Sequence, residues 1–199
     1  MSSLKSSIAQ LESDLRQIPP RIAVYRDLPF AILRYAPTDE WELRRELRLL
    51  VTRLESTGTR IHVLSVADLL YEALERISAT DDDEGLHAII ELEKQRGFLE
   101  AQQQLTTYLS SSVWQPLWEL LTEKLNSFNP DNSIVFLTRA AAMSPGIFQM
   151  SQLLDKMHGR SRVHTVLFYP GSIEGTTGLR FMDLRDRDAL GNYRVKIYG

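Results

Sequence analysis

Ser133-Ile134-Val135-Phe136-Leu137-Thr138 and, after one helical segment, Val163-His164-Thr165-Val166-Leu167-Phe168-Tyr169 decide the fold. Both runs are short, rich in β-branched and aromatic residues, and apolar at successive positions. That is the pattern of a strand buried on both faces. Between them Pro145 and Gly146 open a segment in which Ile147, Met150, Leu153, Leu154 and Met157 recur at helical spacing. Fully apolar strands alternating with helices predict a mainly parallel sheet covered on both sides.

The same alternation extends toward the N-terminus. Phe30 to Tyr35 and Arg60 to Val66 read as strands, each followed by a helix. The first of these helices carries Leu43, Leu47, Leu50, Val51 and Leu54 and ends at Gly58; the second carries Leu69, Leu70, Leu74 and Ile77. Asp81 to Gly85 reads as a turn or a helix start, and helical stretches are expected over about Leu86 to Leu109 and Trp114 to Phe128. An amphipathic helix at about residues 2–18 presents Leu4, Ile8, Leu11, Leu15 and Ile18, and Pro19-Pro20 stops it. Toward the C-terminus, Pro170-Gly171 is expected to break its strand sharply. Leu179 to Asp183 and Tyr193 to Tyr198 alternate as edge strands do, compatible with an antiparallel closing pair. The expectation is a three-layer α/β fold with a mainly parallel sheet flanked by helices, in one domain spanning residues 1–199.

The 199 residues are 43% hydrophobic and 25% charged, a globular balance, and include no cysteine. Disulfides and thiolate metal sites are thereby excluded, and a reducing, cytoplasmic setting is the expectation. The net charge of -3 argues against general attraction to nucleic acid. No apolar run reaches the roughly 20 residues of a membrane span.

Several motifs, in order, carry a family resemblance. Val166-Leu167-Phe168-Tyr169-Pro170-Gly171, Glu174-Gly175, Leu179-Arg180-Phe181 and Asn192-Tyr193-Arg194 together resemble the closing signature of the BrxB family. Leu28-Pro29-Phe30-Ala31-Ile32-Leu33-Arg34-Tyr35 resembles its first strand, and Glu91-Leu92-Glu93-Lys94 and Ile134 to Thr138 match in type and order. The chain departs from the family at Arg139 to Pro145 and at Ser172-Ile173-Glu174-Gly175, where the family commonly has a glycine turn and a Tyr-Asp-Gly loop. The resemblance implies a small subunit of a bacterial BREX phage-defence system with no enzymatic activity. It also implies a structural or regulatory role through association with the alkaline-phosphatase-like component PglZ, and with other BREX subunits.

The residues themselves offer little chemistry. No Gly-Lys-Ser or Gly-Lys-Thr phosphate loop occurs, and the Gly171 to Gly178 loop leads into a strand, not into a helix N-terminus. His62, His87, His158 and His164 form no close ligand pair, and Asp81 to Glu84 reads as a solvated helix cap. Ser65, Ser144 and Ser172 lack a nucleophile elbow. No catalytic residue, metal or cofactor is expected. Binding is the better reading. In open parallel sheets ligands collect beyond the carboxyl ends of strands, here Ser65 to Asp68, Thr138 to Ser144 and Tyr169 to Gly175. Tyr169, Pro170, Gly171, Glu174, Gly175 and Arg180 are the candidate partner-binding residues. Arg44, Arg45 and Arg48 are a second candidate surface, for nucleic acid, although Glu40, Glu42, Glu46 and Glu55 lie among them. Asp183, Asp186 and Asp188, interleaved with Arg180, Arg185 and Arg187, read as an exposed turn or as interface ion pairs.

Overall fold

In a computed structural model, residues 3–174, 178–184 and 195–199 are described. The helices are α1 (Ser3–Leu15), α2 (Glu40–Glu55), α3 (Val66–Thr80), α4 (Leu86–Arg96), α5 (Phe98–Ser110), α6 (Leu117–Asn126) and α7 (Met150–Lys156). The strands are β1 (Phe30–Tyr35), β2 (Arg60–Ser65), β3 (Ser133–Thr138), β4 (His164–Glu174), β5 (Gly178–Phe181) and β6 (Lys196–Tyr198). They form one sheet in the order β2-β3-β4-β1-β6, with β5 added beside β4. Among these described strands every pairing is parallel except β4 with β5.

Successive side chains on a strand point to opposite faces, and here both faces are covered. Ala31, Leu33, Tyr35, Ile134, Phe136, Val166 and Phe168 pack with Leu4, Ile8 and Leu11 of α1 and Leu43, Leu50 and Leu54 of α2. Phe30, Ile32, Val135, Leu137, Leu167 and Tyr169 face the other way, onto α3, α6 and α7. Register follows from β4 lying between its neighbours, with Ile32 and Phe136 opposite Leu167 and Val166. The amide of Thr165 donates to the Pro29 carbonyl at 2.9 Å, setting the start of that alignment. The helices begin and end for local reasons. Ser65 caps α3 by accepting the Asp68 amide at 3.1 Å, and Gly58, at φ 88°, closes the turn after α2.

Three local expectations are corrected. The helix predicted over Leu86 to Leu109 is two helices, because Gly97 at φ 90° lies outside helical space and its amide ends α4 on the Glu93 carbonyl. Helix α1 stops at Leu15, and Ile18 is fully exposed: a residue before proline is driven out of helical conformation. Pro170-Gly171 does not break β4, which runs on to Glu174 by exchanging a parallel neighbour for an antiparallel one. The antiparallel pair expected toward the C-terminus is present as β4 with β5, whereas β6 lies parallel to β1 at the sheet edge.

Candidate partner-binding surfaces

The Tyr-Pro-Gly segment is interior. Tyr169 is 2% exposed; its hydroxyl reaches the Leu179 carbonyl at 3.4 Å, and its ring meets Phe181 edge-on at 5.4 Å. Pro170 lies opposite Tyr35 and accepts the Met182 amide at 2.9 Å. Gly171 backs onto Arg180 so closely that a Cβ would stand 2.0 Å from the Arg180 carbonyl oxygen. A side chain there has no room. The outward part of the hairpin is Glu174 and Arg180, joined at 2.6 Å and 3.3 Å, beside the partly exposed Ile173. Gly175 lies outside the described residues, as do Arg185, Asp186, Arg187 and Asp188. The six predicted residues thus separate: Tyr169, Pro170 and Gly171 build the hairpin, and Glu174 and Arg180 face out from it.

The other strand ends are occupied by packing. Ser65 is committed to its cap, and the Thr138 hydroxyl donates to the Leu64 carbonyl at 3.2 Å. Arg139, at φ 58°, reaches Asp68 at 3.7 Å, and fully buried Ala140 and Met143 follow it in a short 3-10 turn. That turn packs against α3 and β4.

On α2 the three predicted arginines differ. Arg44 donates to Glu40 at 2.7 Å and lies 4.9 Å from the centre of the Trp41 ring. Arg45 touches Glu46 at 3.2 Å while most of its side chain is in water. Arg48 is exposed and, among the described residues, makes no ion pair. Trp41 and Leu49, on the same face, carry no sequence signal of their own, because an exposed tryptophan in a helical stripe reads as core until its partners are known.

The titratable groups displaced from their ordinary values hold elements together. Burial pushes the Tyr35 hydroxyl far up, and the Glu40 carboxylate accepting from it at 2.6 Å adds to the shift. Burial pushes Glu12 up as well, but hydrogen bonds from Arg53 and Arg16 outweigh it and hold the carboxyl low. Glu72 is similarly held down, against burial, by Lys124 and Arg76, which tie α3 to α6. Both strand histidines are shifted down, chiefly by burial; His62 stacks on Phe128 at 3.8 Å. His158 sits 3.6 Å from Asp27. The acidic run closes on itself: Tyr108 donates to Glu84, the Gly85 amide donates to Tyr108 at 3.2 Å, and Ser78 donates to the Glu84 carbonyl. Among the described residues there is no group of three or more His, Cys, Asp or Glu placed to hold a metal ion, and no helix long and apolar enough to cross a membrane.

A cavity of about 640 Å³ opens at the opposite end of the sheet, where Thr59, Ser133, Arg162 and His164 meet the Ile18-Pro19-Pro20 segment. It joins residues more than a hundred positions apart, so no linear motif announces it.

No curated protein and no solved structure matches the chain. Residues 66–197 match the family model described as BREX protein BrxB, a span that begins at α3 and takes in β2's partner β3, the β4–β5 hairpin and most of β6. The match covers more than half of the chain and contains the motifs that first suggested it, apart from Leu28 to Tyr35: the protein belongs to the BrxB family of BREX proteins.

Proposed function

We propose that the protein is a non-catalytic structural or regulatory subunit of a BREX phage-defence complex, and that it binds the PglZ-type alkaline-phosphatase-like component. The observation carrying this reading is the family match over residues 66–197. The chemistry of the chain is consistent with it. Strongly perturbed groups mark catalytic sites when they converge in a cleft, but structural ion pairs perturb them equally. Here burial together with the contacts that join one element to another accounts for the shifts of Glu12, Asp14, Tyr35, Glu72 and Tyr198. Large apolar side chains meanwhile stand in water, among them Trp41 on α2, Leu99 on α5 and Val113 in the turn between α5 and α6.

The test is co-expression with the PglZ-type protein of the same system, followed by co-purification and size-exclusion chromatography at micromolar concentration. A stoichiometric complex is expected. Two folded proteins that elute separately would remove the proposed partner, and turnover of a phosphoester or nucleic acid by the purified chain alone would remove the non-catalytic role. Nucleic-acid contact through Arg44, Arg45 and Arg48 is a second reading, supported by the outward position of Arg45 and Arg48.

A further inference from the structure

Helix α2 looks balanced in sequence, because its glutamates and arginines alternate. In three dimensions they are sorted. Glu40 turns toward the sheet, where it accepts from Tyr35 at 2.6 Å and from Arg44 at 2.7 Å. Glu42 and Glu46 turn toward α1, where Lys5 stands 3.9 Å and 3.8 Å away. The carboxylates of the first turns are therefore drawn to the flanks of the helix. Left on the outer face are Trp41, Arg45, Arg48, Leu49 and Thr52, at the spacing of a single helical stripe. Trp41 is 78% exposed and Leu49 48%.

This stripe combines an indole, an aliphatic side chain and two outward guanidinium groups. Tryptophan and arginine are the side chains most enriched among residues that dominate protein interfaces. The indole is also held in place: the Arg44 guanidinium stands 4.9 Å from its ring centre, while Arg44 itself is anchored on Glu40. A side chain ordered before contact loses less entropy on binding.

We infer that this face of α2 is a docking site for a partner protein whose surface offers carboxylates around an apolar socket that receives Trp41. The charge sorting carries the inference, since Arg48 faces outward with no ion pair among the described residues, and Arg45, although it touches Glu46 at 3.2 Å, keeps most of its side chain in water. Nucleic acid is the less fitting occupant. One face of the indole is already occupied by Arg44, whereas base recognition uses an open aromatic platform. The net charge of -3 also opposes the long-range attraction on which phosphate binding depends. Helix α2 precedes the span matched by the family model, so that match does not assign the face. The inference rests on the partner-binding reading above and adds to it the surface and its chemistry.

The experiment measures affinity for the PglZ-type component by titration calorimetry with the full chain, as wild type, Trp41→Ala, Arg45→Glu/Arg48→Glu and Arg45→Lys/Arg48→Lys. Circular dichroism confirms that each variant is folded; all three positions are solvent-facing. Trp41→Ala and the charge reversal should each weaken binding by about tenfold or more, a change of about 1.4 kcal/mol per decade. The lysine variant should retain most of it, and wild-type binding should weaken with salt. Wild-type affinity in both the alanine and the reversal variants overturns the docking face while leaving the partner intact. Absence of wild-type binding overturns the partner and the face together. If the reversal instead abolishes binding of a DNA oligonucleotide and spares the protein partner, the face belongs to nucleic acid and the inference is wrong.

Discussion

The Tyr198 hydroxyl donates to the Asp14 carboxylate across 2.8 Å, and Lys196 reaches the same oxygen at 2.7 Å. These contacts hold β6, an edge strand of three residues, against α1. Burial raises the Asp14 carboxyl, but the hydrogen bonds from Lys196 and Tyr198 outweigh it and hold the group below its ordinary range. A carboxyl depressed on folding stabilises the protein above its unfolded pKa of about 3.9, and that contribution disappears as pH falls through the lower folded value. Asp14→Asn is expected to cost about 1–2 kcal/mol near neutral pH. Urea titrations of both proteins should show this difference shrinking as the pH drops below about 4; a gap independent of pH would contradict the assignment.

Gly171 gives a sharper case. The Arg180 carbonyl occupies the place of a Cβ, so Gly171→Ala must push β4 and β5 apart or bend the hairpin. A loss of about 2–4 kcal/mol is expected, in the range reserved for steric or backbone failure. Chemical denaturation reads it directly, and accelerated amide exchange at Leu179 and Phe181 locates it. An alanine variant as stable as wild type would show that the approach relaxes at no cost.

The two strand histidines make stability pH-dependent near neutrality. Burial depresses His164, so between its unfolded pKa of about 6.5 and its lower folded value the unfolded chain binds more protons. Stability must therefore fall as the pH drops below about 6.5. His164→Gln should flatten this slope without abolishing it, because His62 is shifted in the same direction. Unfolding free energies at several pH values between 5 and 8 decide the matter.

Phe136 and Phe168 meet edge to face at 5.3 Å in the layer beneath α1 and α2, and both are fully buried. Phe136→Ala removes that contact and leaves a cavity, at an expected cost of about 3–5 kcal/mol. Phe136→Leu should cost clearly less. Guanidinium titration of the pair tests whether the packing is as tight as the burial implies.

What sequence could reveal follows from how each feature encodes itself. Strands β3 and β4 announce themselves because each is buried on both faces, and α3 because Ser65 precedes its apolar stripe. Pairing partners leave no such trace: the alternation in β5 and β6 shows that they are strands, but not that one joins β4 and the other β1. Tyr169 illustrates a related blindness. A tyrosine ahead of Pro-Gly looks like a surface anchor, and only the return of β5 across it makes it interior. The α2 surface was half visible. Arg45 and Arg48 could be named, but the departure of Glu42 and Glu46 toward Lys5 depends on how α1 packs, and a residue list of α2 does not contain that.

Because residues 30–33 of β1, 133–137 of β3 and 165–171 of β4 are buried on both faces, hydropathy cannot tell a correct alignment from one slipped by a residue. A shifted β1 would still offer grease to both layers, merely exchanging Phe30 and Ile32 for Ala31 and Leu33. Discrimination falls instead to bulk, with the Thr165 amide on the Pro29 carbonyl as the notch that starts the count. In the middle of this sheet, size therefore matters more than greasiness: a methylene added at Ala31 should disturb the protein more than swapping one branched aliphatic for another beside it.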